Sequence, residues 1–144
     1  AEPPPQLAAA LGVAPVAAFS ASGRSGQTWL LELASAAEVR ALTPDFAALR
    51  QTPARATIVT ARSDDPAYDF CSRFFAPAMG IDEDPVTGSA HCYLAPFWAQ
   101  RLGKNPLRGY QASARGGVVG CEWAGERVRL RGQTVTVLRG ELLV

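Results

Sequence analysis

The stretch Gly80-Ile81-Asp82-Glu83-Asp84-Pro85-Val86-Thr87-Gly88-Ser89-Ala90-His91 and the helix it launches decide the fold of this chain. From Thr87 to Leu102 the residues read as one helix of about fifteen positions, roughly 22 Å long at the usual rise per residue. Thr87, Gly88 and Ser89 suit an N-cap, where orphan backbone N–H groups need an acceptor. Gly103 follows the last turn and Pro106 forbids continuation. Ala90, Cys92, Tyr93, Leu94, Ala95, Phe97, Trp98, Ala99 and Leu102 point all round, and the one charge, Arg101, comes near the end. A helix apolar on every side is buried on every side or spans a membrane. This one is too short to span and contains Pro96, so a core helix is expected.

Such a helix aims its positive dipole end at Gly88-Ser89, a ready anion site. Pro85 biases Asp84 toward an extended backbone and so fixes where its carboxylate points. A fixed carboxylate beside an anion cradle suits an acid/base enzyme acting on a small carboxylic acid. A plain capped helix carries the same signals.

Working outward, the flanks supply strands. Tyr68 to Phe75 leads into the motif, with Tyr68, Phe70, Ser72 and Phe74 on one face and Asp69, Cys71, Arg73 and Phe75 on the other. Upstream, a short helix spans Gln6 to Gly12, and Val16 to Ala21 forms a strand ending in the turn Ser22-Gly23-Arg24-Ser25-Gly26. Trp29 to Leu33 and Ala56 to Ala61 are further strands. Ser35-Ala36-Ala37-Glu38 is a capping box opening a helix through Leu42, and Pro44-Asp45 begins another from Phe46 to Arg50. Downstream the period becomes two. Strands are expected at Tyr110 to Ala114, Val118 to Trp123, Arg127 to Leu130, Thr134 to Leu138 and Glu141 to Val144. The expected class is α+β: a curled mixed sheet of about seven to eight strands wrapped around one central buried helix, in a single domain over residues 1–144.

Composition narrows the function. The chain has 144 residues, 48% of them hydrophobic, and a net charge of +1. That allows an ample core, and it argues against nucleic acid as a partner because no basic stripe is interleaved with stacking aromatics. No apolar run suggests a membrane span. The three cysteines, Cys71, Cys92 and Cys121, stand far apart, as reduced thiols of a cytoplasmic protein do. With one histidine, they make a poor zinc set. Asp82, Glu83 and Asp84 read as an exposed acidic turn, since Pro85 and Val86 interrupt the alternation of a calcium loop. Ser89 and His91 are two apart on a helix and do not face each other, so they make no hydrolase pair. His91 reads as a histidine hydrogen-bonded in place. Arg127, Arg129 and Arg131 read as a solvated sheet face. The Pro3-Pro4-Pro5 run resembles a linker, which suggests the second part of something longer.

Arg73-Phe74-Phe75-Ala76-Pro77, Gly80-Ile81, Glu83 to His91, Leu102-Gly103-Lys104 and Gln111-Ala112-Ser113-Ala114-Arg115-Gly116-Gly117 together resemble the phenazine-biosynthesis (PhzF-like) family. The similarity covers this whole chain but only the C-terminal domain of a family member. The resemblance implies a diaminopimelate epimerase-like fold: two similar domains, each a curled sheet around a helix, with the active site between them. It implies that Asp84 stands where the epimerases carry a catalytic cysteine, that Gly88 and Ser89 hold the substrate carboxylate, and that Thr87 joins them in binding the substrate. Asp84 is then an acid/base or substrate-ordering group. The family's best-known activity is an isomerisation by proton transfer on a small, unsaturated, amino-acid-like carboxylic acid, without cofactor. Its principal proton-transfer glutamate belongs to the N-terminal domain, so the expected partner is that half or a second copy of the chain. The competing expectation is a non-catalytic binding or interaction module derived from the family.

Overall fold

The computed structural model describes residues 2–23 and 26–142. Arg24 and Ser25 of the expected turn, and the last two residues of the expected final strand, lie outside the described residues. The centre of the molecule is an eight-stranded mixed sheet among the described residues. Its strands are β1 (Ala17–Gly23), β2 (Gly26–Glu32), β3 (Ala54–Arg62), β4 (Phe70–Ala76), β5 (Ile81–Glu83), β6 (Leu107–Gln111), β7 (Gly117–Ala124) and β8 (Arg127–Arg131). The order across the sheet is β1-β2-β3-β4-β6-β7-β8, with the short β5 paired to β4 alone. β2 and β3 run parallel, as do β4 and β6; the other pairs are antiparallel.

A parallel pair needs a long crossover. For β4 and β6 that crossover carries β5, the motif and helix α4 (Gly88–Leu102). For β2 and β3 it carries α2 (Ala36–Ala41) and α3 (Phe46–Arg50). The local signals work as the sequence implies. Ser35 Oγ accepts from Glu38 N at 3.2 Å, Asp45 caps α3 by accepting from Ala48 N at 2.9 Å, and Gly12 closes α1 (Pro5–Leu11) with φ 67°.

The two faces of β4 fill two cores, along the division its alternation implies. Cys71 and Phe75 join Leu7, Leu31, Val39, Leu49 and Val59 under α1, α2 and α3. Phe70 joins Leu30, Ile58, Leu94, Trp98 and Val119 under α4. α4 is pinned there by a stacked Phe70–Trp98 pair, centroids 6.1 Å apart, and by Trp98 Nε1 donating to Thr60 Oγ1 at 2.9 Å. Thr60 Oγ1 in turn donates to Cys71 O at 2.8 Å, so the indole N–H is satisfied inside the core.

Three expectations need correction. First, α4 is not enclosed on every side: Ala90, His91, Leu94, Ala95, Trp98 and Ala99 are buried, whereas Ser89, Cys92, Tyr93 and Gln100 are exposed. Apolar composition set the expectation, but the sheet curls past one side of the helix only. Second, the strand expected at Tyr110 to Ala114 begins and ends earlier, at Leu107–Gln111, because its register is fixed by pairing with β4 and β7. Third, residues 132–142 form no helix or strand. Val135, Val137 and Leu138 are 84–91% exposed, although their spacing suits a strand. A strand needs a hydrogen-bonding neighbour, and no edge among the described residues takes this segment up.

Candidate active site at the head of α4

The motif is held from both sides. β5 is anchored by Arg73 of β4, whose Nε and Nη2 donate to the two carboxylate oxygens of Glu83 at 2.7 and 2.8 Å. The remaining Arg73 nitrogen, Nη1, donates to Leu42 O at 2.7 Å and Val39 O at 3.3 Å, at the end of α2. This fork suits arginine: a planar donor set meets a carboxylate and a helix C-terminus at once. Asp82 pairs with Arg50 at 2.5 Å. The three acidic residues therefore do not form one exposed turn. Each faces a different partner, and Glu83 is mostly covered.

Asp84 N donates to Phe74 O at 3.0 Å, the last tie to β4. Its carboxylate Oδ2 accepts from Thr87 Oγ1. Gln111, at the end of β6, reaches into this turn. Its Nε2 donates to Asp84 O at 2.7 Å and to Thr87 Oγ1 at 3.1 Å, and its Oε1 accepts from Thr87 N at 2.8 Å. Ser113 Oγ donates to Pro85 O at 2.8 Å and accepts from Gly116 N at 3.0 Å. Gly117 lets Val86 approach: a Cβ there would lie 2.1 Å from Val86 Cγ2.

Thr87 is the N-cap residue of α4, yet its side chain makes no cap hydrogen bond. Among the described residues, no acceptor is found for the N–H groups of Gly88, Ser89 and Ala90. His91 N is the first amide taken, by Thr87 O at 3.4 Å. Gly88 and Ser89 are exposed, Asp84 half-buried, and Thr87 buried. The four residues expected from the sequence thus share one turn with divided tasks. Thr87 faces inward and holds Asp84, while Gly88 and Ser89 present open amides to the surface. Gly88 also lines an open groove of about 490 Å³ with Val86, Arg115, Leu130 and Arg131. A second groove, of about 530 Å³, is lined by Leu107, Arg108, Cys121, Glu122 and Arg129 and contains none of the motif.

His91 Nδ1 donates to Thr87 O at 2.7 Å, and the ring is fully buried against Phe70. Burial holds its pKa below the ordinary histidine value, opposed by the Thr87 carbonyl. Burial also raises the Cys71 thiol and pushes Cys121 up to about 12, so neither is a thiolate near neutral pH. Among the described residues no group of three His, Cys, Asp or Glu side chains is placed to hold a metal ion. No helix among them is long and apolar enough to cross a membrane. Glu122 bonds both Arg129 and Arg131, at 3.0 and 2.9 Å, so these arginines form a cross-strand charge cluster on the exposed sheet.

Arg73 and Gln111 carry no role in the reading of the sequence. Both are polar residues in strands with apolar neighbours, and a buried polar group must find partners. That signal marks them only once their burial is known.

The curled mixed sheet around α4 is the fold that this chain shares with solved structures of the PhzF family. Phenazine biosynthesis-like protein (PhzC-PhzF) is the family model that matches residues 7–140, and the chain belongs to this family. It is 52% identical over 137 residues to a Pseudomonas aeruginosa protein called an uncharacterized isomerase, covering 95% of this chain and 50% of that one. A Halalkalibacterium halodurans protein of the same description is 46% identical over 141 residues, with 98% and 52% covered. The crystal structure of a phenazine biosynthesis protein of the PhzF family from Enterococcus faecalis superposes with a TM-score of 0.80 at 39% identity, covering 89% of this chain and 47% of that one. The chain spans about half the length of the relatives it matches.

Proposed function

We propose that this chain is the C-terminal domain of a cofactor-independent isomerase that moves a proton on a small, amino-acid-like carboxylic acid. The observation that carries the reading is the pairing of a tethered carboxylate, Asp84, with three open amides at the head of a fifteen-residue helix. The amides of Gly88, Ser89 and Ala90, at the positive end of the helix dipole, suit a substrate carboxylate. With that group held, Asp84 exchanges a proton with the adjacent carbon or orders a neighbouring amine or hydroxyl. Thr87, expected among the substrate-binding residues, serves by holding Asp84 beside the substrate. The description of two close relatives as isomerases supports the class of reaction.

The remaining acid/base group comes from a partner, either the N-terminal half or a second copy of this chain. The exposed side of α4, with Tyr93 and Cys92, and the length of the relatives support that pairing. Free, uncrosslinked cysteines suit the cytoplasm. The same exposed side favours a second reading, in which the chain is a binding module.

The test is deuterium uptake from D2O into candidate amino-acid-like acids, with the chain alone and mixed with the complementary half of a close relative. Exchange at the carbon next to the carboxylate is expected in the mixture, and Asp84→Asn should lower it by about 100-fold or more. Exchange that survives Asp84→Asn unchanged removes Asp84 from the mechanism. Tight association without exchange favours the binding module.

A further inference from the structure

We infer that Gln111 is a positioning residue that keeps the head of α4 uncapped, by drawing Thr87 away from the helix and toward Asp84. The inference rests on the reading of that helix head as the anion site. A threonine at an N-cap ordinarily turns its oxygen back to accept from an amide in the first turn. Thr87 has the extended backbone of a cap, φ −114° and ψ 105°, but makes no such bond. A hydroxyl has one proton to give and two lone pairs. Here the proton goes to Asp84 Oδ2, and Gln111 Nε2 donates to the oxygen at 3.1 Å. The Thr87 amide is taken as well, by Gln111 Oε1 at 2.8 Å.

A single primary amide therefore sets both ends of the turn. Its second Nε2 proton goes to Asp84 O at 2.7 Å, so Asp84 and Thr87 are fixed relative to each other by one rigid planar group. Gln111 is 0% exposed and sits in a strand paired on both sides, with Ser72 of β4 and Gly117 of β7. Satisfying its polar atoms within the turn removes the cost of burying them. Were its only task to fill space, an apolar side chain of the same length would do.

Gln111→Met keeps the length and removes all three hydrogen bonds. Gln111→Glu keeps the acceptor for Thr87 N but loses both donors and sets a negative charge beside Asp84. The measurement follows the Ser89 and Ala90 amides by 15N NMR while acetate is titrated into the 144-residue chain. Amide hydrogen exchange is read on the same samples. In Gln111→Met the freed Thr87 hydroxyl turns to cap the helix. Acetate affinity then falls roughly threefold to tenfold, Ala90 N–H exchanges more slowly, and Thr87 N–H exchanges faster. In Gln111→Glu, Thr87 N–H keeps its protection while acetate affinity falls at least as far.

Acetate affinity within twofold of the parent in Gln111→Met, in a folded protein, overturns the inference. Should the parent chain bind no acetate, the anion reading of the helix head fails. Gln111 is then judged on exchange alone: slower Ala90 exchange in Gln111→Met supports the positioning role, and unchanged exchange overturns it.

Discussion

Neither the turn at residues 82–87 nor the segment at residues 132–142 contains any helix, yet they behave oppositely. In the turn every carboxylate has a partner: Asp82 with Arg50, Glu83 with Arg73, Asp84 with Thr87. The second segment has the better strand pattern, Thr134-Val135-Thr136-Val137, and forms no strand, with Val137 91% exposed. The difference is one of neighbours. β5 forms, though short, because β4 offers it an edge and Arg73 clamps its end. Alternation tells a segment which face to bury, but it cannot provide the edge to bury it against.

This contrast can be broken by mutation. The largest effect short of unfolding the chain is expected at Arg73, whose side chain is 11% exposed and whose partner Glu83 is 18% exposed. Arg73→Met leaves Glu83 unpaired and frees the end of α2, at a cost of about 2–3 kcal/mol in urea unfolding. Adding Glu83→Gln should restore part of it. A loss under 0.5 kcal/mol means that β5 is held by its backbone alone.

Next comes Gly117→Ala, which sets a methyl group against Val86 and should cost about 2 kcal/mol. Val86→Ala in the same chain should recover much of that, since it removes the atoms in the way. Failure of the second change to help places the strain elsewhere.

A smaller, pH-dependent effect belongs to His91, the one histidine in the sequence. Its folded pKa lies below the unfolded value of about 6.5. Between those two values the unfolded chain takes up a proton that the folded chain refuses. Stability from this group is therefore complete above about pH 6.5 and declines as pH falls toward the folded pKa, at up to about 1.4 kcal/mol per pH unit. Urea midpoints measured from pH 7.5 to 5.5 should show the decline, and His91→Asn should flatten it. An equally steep profile in the variant assigns the effect to other groups.

The smallest effect is expected in the second segment. Val137→Lys should change stability by no more than about 0.5 kcal/mol, since no packing is lost. Val59→Lys, the same change at a fully buried strand position, should prevent folding. A large loss from Val137→Lys means that the segment packs in solution.

The residues by themselves determined a good deal. The span of α4, the Ser35 cap, the helix begun by Pro44-Asp45, the two faces of β4, and the existence of strands expected at Val16 to Ala21, Trp29 to Leu33, Ala56 to Ala61, Val118 to Trp123 and Arg127 to Leu130 follow from periodicity and short-range chemistry, although several of these strands run two or three residues further than expected. So does the clustering of Asp84, Thr87, Gly88 and Ser89, which are neighbours in sequence. Tertiary structure alone decided which side of α4 is open, that β6 stops at Gln111, and that Arg73 and Gln111 hold the motif from strands outside it. It also decided that Thr87 serves the aspartate instead of capping the helix. The physical reason is range: caps and periodicity act within a few residues along the chain, whereas burial and hydrogen-bond partnership depend on what folding brings alongside.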